Sequence, residues 1–188
     1  MPVNPVALDV PLRLRSWVSN CFGAIGVNGL DGAGKTTYAL GLQRFLTDQG
    51  HEADLLHVDD FNKDEVQDEV YEAFACGELT AAHLDNYYRA SVDYQALFDA
   101  IKAAKQRIQY VIVEGVFLFK QPVLQTLDFK VFLETEPSVA RNRFEQRRLE
   151  QGDERPVEVF DRIWLPTFER YCNEEKPRET ADLIIAGR

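Results

Sequence analysis

Residues 29–36 read Gly-Leu-Asp-Gly-Ala-Gly-Lys-Thr, a full match to G-x-x-x-x-G-K-[ST]. The string stands between an apolar run, Cys21 to Val27, and an amphipathic stretch, Thr36 to Leu46. A loop of this kind constrains the whole architecture, since it requires a buried strand to leave and a helix to enter. Gly29, Gly32 and Gly34 let successive backbone N–H groups curl round an anion, and the helix starting near Lys35 adds its positive end, so the loop prefers a polyphosphate. Gly29, Leu30, Asp31, Gly32, Ala33, Gly34, Lys35, Thr36 and Thr37 are the candidate phosphate-site residues. Within them, Lys35 would reach the outer phosphates, Thr36 would ligate Mg2+, and Thr37 would support the phosphates from the first turn. The glycines do not have the G-x-G-x-x-G spacing of a dinucleotide fingerprint, in which Lys35-Thr36 would also have no purpose.

Five short apolar runs, Gly23 to Val27, Ala53 to Val58, Tyr110 to Val113, Phe129 to Leu133 and Asp182 to Ile185, alternate with helix-like stretches. This alternation predicts an α/β fold with a five-stranded parallel sheet flanked by helices. Helical spacing is clearest over Thr36 to Gln49, Tyr94 to Lys105, Ser138 to Gln151 and Val157 to Cys172, and a short helix is expected near Leu12 to Val18. The 188 residues, 45% apolar and 28% charged, suit one well-cored domain over 1–188, with an irregular proline-bearing arm over about residues 1–11. Asn62 to Ser91 and Gln151 to Val157 interrupt the rhythm with charged and turn residues, and are expected to form a substrate flap and a small lid.

A net charge of −10 argues against nucleic acid or an anionic membrane as a partner. No apolar run reaches about 18 residues, and the N-terminus has neither a basic n-region nor an apolar h-region, so a cytoplasmic protein is expected. Cys21, Cys76 and Cys172 are odd in number, far apart and without a C-x-x-C pair, which predicts reduced, partly buried thiols.

The second strand runs into His57-Val58-Asp59-Asp60-Phe61, placing two carboxylates at the sheet edge that carries the phosphate loop. A carboxylate there can take the proton of a hydroxyl as that hydroxyl attacks a phosphate, and Asp59 is the candidate base, with Asp60 and Phe61 beside the substrate. His57 is read as a packed or hydrogen-bonded side chain. The third strand, Val111-Ile112-Val113-Glu114-Gly115, ends in a carboxylate suited to hold Mg2+ through water, and Gly115 is expected to let the chain pass close to the phosphates. Arg141, Arg143, Arg147 and Arg148 share one predicted helix beside the lid; Arg143 and Arg148 are chosen to clamp the transferring phosphate. Tyr88 is a candidate substrate contact, with Tyr87 or Tyr94 able to serve instead, and packing in the core is the alternative for all three.

In this order and spacing, GLDGAGKTT, HVDDF and VIVEGVFLF resemble the uridine kinase and phosphoribulokinase family of P-loop kinases, and the nicotinamide riboside kinases especially. The resemblance continues through Phe132-Leu133-Glu134-Thr135, the arginine-rich helix, Arg162-Ile163-Trp164-Leu165-Pro166 and Ala181-Asp182-Leu183-Ile184-Ile185. It implies a P-loop NTPase fold with a small helical lid. It implies ATP and Mg2+ as cofactors, Asp59 as base, Lys35 and Thr36 on phosphate and metal, Glu114 near the metal, and Asp93 on substrate ribose hydroxyls. The expected activity is transfer of the γ-phosphate to a hydroxyl of a nucleoside, a nucleoside-like compound or a polyol, by an enzyme whose partners are small molecules and which could form a homodimer. Two departures qualify the transfer. Lys105 to Tyr110 leaves no room for the hairpin that reads pyrimidines in uridine kinases, and Val92 stands where riboside kinases carry Tyr.

The competing classes share the phosphate loop. A GTPase would show D-x-x-G after its metal strand and N-K-x-D late in the chain, whereas here the strand ends Glu114-Gly115 and Asn62-Lys63-Asp64-Glu65 comes early. A nucleotide-hydrolysing ATPase or a nucleotide-binding regulator without a second substrate is the alternative reading. A thymidylate-kinase type ranks behind both, since its Arg-Glu-Pro-Gly motif is missing.

Overall fold

In a computed structural model that describes residues 9–186, five strands form one parallel sheet in the order β2-β3-β1-β4-β5. They are β1 (Gly23–Gly29), β2 (Ala53–His57), β3 (Tyr110–Gly115), β4 (Phe129–Glu134) and β5 (Leu183–Ala186). All five predicted runs are strands. Most of the expected irregular arm, residues 1–8, lies outside the described residues. No described helix is long and apolar enough to cross a membrane.

β1 is central and all seven of its residues are buried, because helices cover both faces and leave no wet side for alternation. One face is covered by α1 (Leu12–Val18) and α2 (Lys35–Asp48), through Leu14, Val18, Tyr38, Ala39, Leu42 and Leu46 packed on Ile25, Val27, Ile112 and Val131. The larger core lies on the other face, under α3 (Asp64–Ala75), α4 (Ala81–Ala90), α5 (Tyr94–Lys105), α6 (Pro137–Gln151) and α7 (Leu165–Glu175). In α5, Leu97, Ile101 and Ala104 are buried at the spacing that makes one stripe. Gly152 ends α6 in the left-handed region at φ 66°.

Two expectations take a more definite form. Residues 62–91, the expected flap, are not irregular. They fold into α3 and α4, and α4 opens on a reciprocal cap in which Thr80 Oγ1 accepts from His83 N at 3.4 Å and His83 Nδ1 accepts from Thr80 N at 3.1 Å. Nor is Val157 to Cys172 one regular helix. A π turn over Phe160–Trp164 precedes α7, and Pro166 in the first turn of α7 has no N–H to continue a regular ladder. The cysteines are free, as expected, but Cys21 and Cys76 are exposed rather than partly buried.

A buried hydrogen-bonded knot joins the root of the phosphate loop to both sides of the site. Tyr171 Oη accepts from Asn28 Nδ2 at 2.6 Å and from Phe119 N at 2.9 Å, while Asn28 Oδ1 accepts from Gly29 N at 2.9 Å. Asn28 and Tyr171 are wholly buried. Tyr171→Phe would orphan two buried donors, each costing about 1–3 kcal/mol. The expected result is a urea midpoint shifted downward at unchanged m-value; an unchanged midpoint would contradict it.

Candidate active site

The carboxyl edge of the sheet gathers the candidate residues because parallel strands end there in register. His57 is paired across to Glu114, and Glu114 to Val27, two residues before the loop. Gly34 caps α2 at φ 90°, and a Cβ there would meet nothing within 4 Å; it is the glycine that keeps the cradle open. Gly32 has a different task. At φ 78° it passes so close to α6 that a Cβ would collide with the Ala140 carbonyl. Lys35 is buried, with Nζ donating to Leu30 O at 3.1 Å and lying 3.8 Å from Asp31 Oδ1. A hollow of about 200 Å3 is lined by Gly32, Gly34, Lys35, Thr36 and Thr37 of the loop and by Arg143 and Arg147 of α6.

Thr36 Oγ1 donates to Glu114 Oε1 at 2.9 Å, and His57 Nδ1 lies 2.7 Å from the same oxygen. His57 is thus a hydrogen-bonded side chain, as expected, and its partner is the candidate metal carboxylate. Gly115 has a nearer constraint than phosphate: a Cβ there would strike Val58, so this glycine admits the turn that carries Asp59. Two hard oxygen ligands next to a phosphate cradle suit Mg2+, which keeps waters and takes phosphate oxygens rather than demanding an all-protein cage. Among the described residues no group of three or more His, Cys, Asp or Glu side chains could hold a metal by itself.

Beside the hollow lies a second cavity of about 120 Å3. Its walls include Asp31, Asp59, Asn62, Gln67, Tyr71, Tyr87, Ser91, Phe117, Arg147, Arg155 and Trp164. Asp59 keeps an exposed edge, yet the walls around its carboxyl push its pKa above the ordinary carboxylate value. Desolvation is the main cause, Asp31 and Glu114 add to it, and Lys35 and His57 oppose it. Phe117 holds φ 56°, a conformation bulky residues rarely adopt and one that clusters at sites where a side chain must be aimed. It packs on Tyr171 with ring centroids 5.5 Å apart. The lid turn is pinned by Arg155, whose Nε and Nη2 reach Asp153 at 2.6–3.1 Å and hold that carboxyl down to about 2.

The structure brings Lys35, Thr36, Asp59, Glu114 and Arg143 together and leaves other candidates aside. Arg143 Nη1 donates to Gly32 O at 3.3 Å. Arg148 lines neither cavity; its Nη1 reaches Asp153 O at 3.4 Å, and its Nε is buried without a partner. Arg147 takes that place, lining both the hollow and the second cavity. Tyr88 is turned into the core, under Lys120 Nζ at 3.9 Å from its ring centroid, whereas Tyr87 faces the cavity. Asp93 caps α5, accepting from Ala96 N at 3.0 Å, and its N–H bonds Phe61 O at 2.8 Å. Neighbouring Ser91 and Val92 line the cavity, and Val92 is bridged to Asn62. Asp60 is exposed and Phe61 packs at the core's edge; neither lines the cavity. Asn62, Gln67, Tyr71, Ser91, Arg155 and Trp164 went unmarked as site residues. Gln67/Tyr71 and Tyr87/Ser91, each four apart, carried the signal as polar and aromatic pairs sharing a helix face.

A family profile described as "AAA domain" matches residues 25–162. The chain is 28% identical over 170 residues to a uridine kinase of Leuconostoc citreum (strain KM20), covering 81% of this chain and 77% of that one. Its fold is similar to a possible uridine kinase from Bacillus stearothermophilus, at TM-score 0.63 and 17% identity over 92% of both chains. It is also similar to shikimate kinase from Bacteroides thetaiotaomicron, at TM-score 0.52 and 18% identity over 89% of this chain and 88% of that one.

Proposed function

We propose that this chain, which belongs to the AAA-domain family matched over residues 25–162, is an ATP·Mg2+-dependent kinase that phosphorylates a hydroxyl of a small molecule, a nucleoside-like compound or a polyol. The proposed enzyme is one domain over 1–188 that works in the cytoplasm. One observation carries the reading: the phosphate hollow and the Asp59 cavity adjoin, with Arg147 in the wall of both. A hydrolase needs room for a water only, whereas this second cavity has aromatic walls and a carboxylate at its edge.

In the proposed mechanism the bound nucleotide supplies the transferable phosphoryl group. The loop N–H groups and Lys35 bind the phosphates, and Thr36 with Glu114 orients the metal. Asp59 accepts the hydroxyl proton, for which it must be ionised. Arg143 and Arg147 stabilise charge on the transferring group, and α6 with the lid turn excludes water that would otherwise be phosphorylated. ADP release should depend on an added alcohol; release at the same rate without one would refute the kinase reading.

The contact of Gly115 with Val58 gives a second test. Gly115→Ala would push the Val58–Asp59 turn outward, and displacing a base by about 1 Å can cost on the order of 100-fold. The expected result is a kcat lowered by about 10- to 100-fold with little change in the ATP requirement, while an equal loss in nucleotide affinity would return this glycine to the phosphates.

A further inference from the structure

The acceptor cavity carries two arginines in its wall, Arg147 and Arg155. Asp153 consumes the Nε–H and one Nη2–H of Arg155, the Tyr71 hydroxyl is a further partner, and a guanidinium carries five N–H groups, so two remain. The guanidinium lies 5.2 Å from the Trp164 ring centroid, held at a fixed tilt by ring and carboxylate together. Trp164 Nε1 donates to Tyr71 Oη at 3.1 Å, and the same hydroxyl is a partner of Tyr87 and Arg155, so it fixes the walls around the guanidinium. Arg147 forms no ion pair among the described residues and faces the same cavity. Converging donors backed by cationic charge call for a group that only accepts, and the planar fork of arginine matches a carboxylate. Asp59 and Asp31 line the same cavity and would repel that group, so a ligand with a hydroxyl and a carboxylate enters in one orientation.

Size narrows the class further. A cavity of about 120 Å3 is slightly smaller than the engineered apolar cavity of about 150 Å3 that holds a benzene molecule, so the part of an acceptor seated inside it is on the order of six heavy atoms, and anything larger extends through the open side. We propose that the acceptor is a small hydroxy acid, its carboxylate held by Arg155 and its hydroxyl presented to Asp59. This rests on the kinase reading and specifies its acceptor. In the transfer the acceptor oxygen bonds the γ-phosphorus as the bond to the β–γ bridging oxygen breaks. ADP departs, and the hydroxyl proton passes to Asp59.

The test compares matched pairs that differ by one carboxylate, glycerol with glycerate, erythritol with erythronate and ribitol with ribonate, together with shikimate, uridine and cytidine. ADP release is followed for the parent protein, Arg155→Gln and Arg155→Lys. At least one acid should exceed its alcohol in kcat/KM by about 10- to 100-fold, the range given by one or two charge-assisted hydrogen bonds. Arg155→Gln should erase that ratio through KM, and Arg155→Lys should recover part of it. A nucleoside or neutral polyol preferred over every acid, or a ratio unmoved in Arg155→Gln, overturns the proposal while leaving the kinase reading intact. If no compound is turned over, thermal protection of the ADP·Mg2+-loaded protein decides. Protection by an acid over its alcohol, lost in Arg155→Gln, supports the site, and equal protection overturns it.

Discussion

Asp59→Asn is expected to lower kcat by about 100-fold or more, since a positioned general base typically contributes 100- to 10,000-fold. Asparagine keeps the shape and cannot take the proton. Because desolvation of its carboxyl and the neighbouring carboxylates raise the Asp59 pKa, the acid limb of the parent's kcat/KM profile should be displaced upward from the ordinary aspartate value, with activity lost as pH falls through that pKa. The same shift fixes the sign of a stability effect. A carboxyl whose folded pKa exceeds its unfolded one favours folding when protonated, and that contribution disappears as pH rises through the folded pKa. At neutral pH the ionised Asp59 therefore works against the fold only weakly, because the residue is exposed and its charge is screened, so Asp59→Asn should melt no lower than the parent while turning over far more slowly. Lower melting with near-parental turnover would contradict both the role and the environment assigned to this residue.

Lys35→Ala should be of comparable severity, with kcat reduced by about 100- to 1,000-fold, the range for removing one preorganised charge-stabilising donor. Lys35 Nζ is already held beside the loop by Leu30 O at 3.1 Å, so little reorganisation separates this arrangement from one in which it faces a phosphate. Far-UV circular dichroism should be unchanged, because the neighbouring α2 core of Tyr38, Ala39, Leu42 and Leu46 does not depend on the ammonium. The nucleotide requirement should rise together with the loss of kcat, whereas Asp59→Asn should leave it nearly unchanged. A Lys35→Ala protein that still turns over within about tenfold of the parent would remove the loop from the mechanism.

What the sequence made legible was local. The five strands are short apolar runs, and the phosphate loop is a contiguous string whose backbone conformation is set by its own glycines. The chemistry of Lys35, Thr36 and Glu114 follows from motif and strand end alone. What escaped depends on which way a side chain faces after folding. On a helix of 3.6 residues per turn, Arg143 and Arg147 are about 40° apart and Arg143 and Arg148 about 140°, so only the first pair can look into the same hollow. Tyr87 and Tyr88 are about 100° apart, and α4 turns the second into the core. The partners of Gly115 and His57 are invisible for a related reason. Val58 and Glu114 meet them only across neighbouring strands, and register is not written in any one strand.

Arg155 and Trp164 were harder still, because their partners lie far off in sequence: Tyr71 on α3 contacts Trp164 from 93 positions away. Asp93 shows a local signal: its Oδ1 caps α5, a role that an aspartate followed by a helical stretch predicts beside the one the resemblance implies.

Following the γ-phosphate itself tests the central claim most directly. The protein would be incubated with ATP labelled on the γ-phosphorus, Mg2+ and the acceptor panel, and the label separated into organic phosphate esters and inorganic phosphate. Label appearing in one ester in equal amount to the ADP formed, and failing to appear with Asp59→Asn, is the predicted result. Label released only as inorganic phosphate, at a rate indifferent to every acceptor, would contradict the account and mark the chain as a hydrolase.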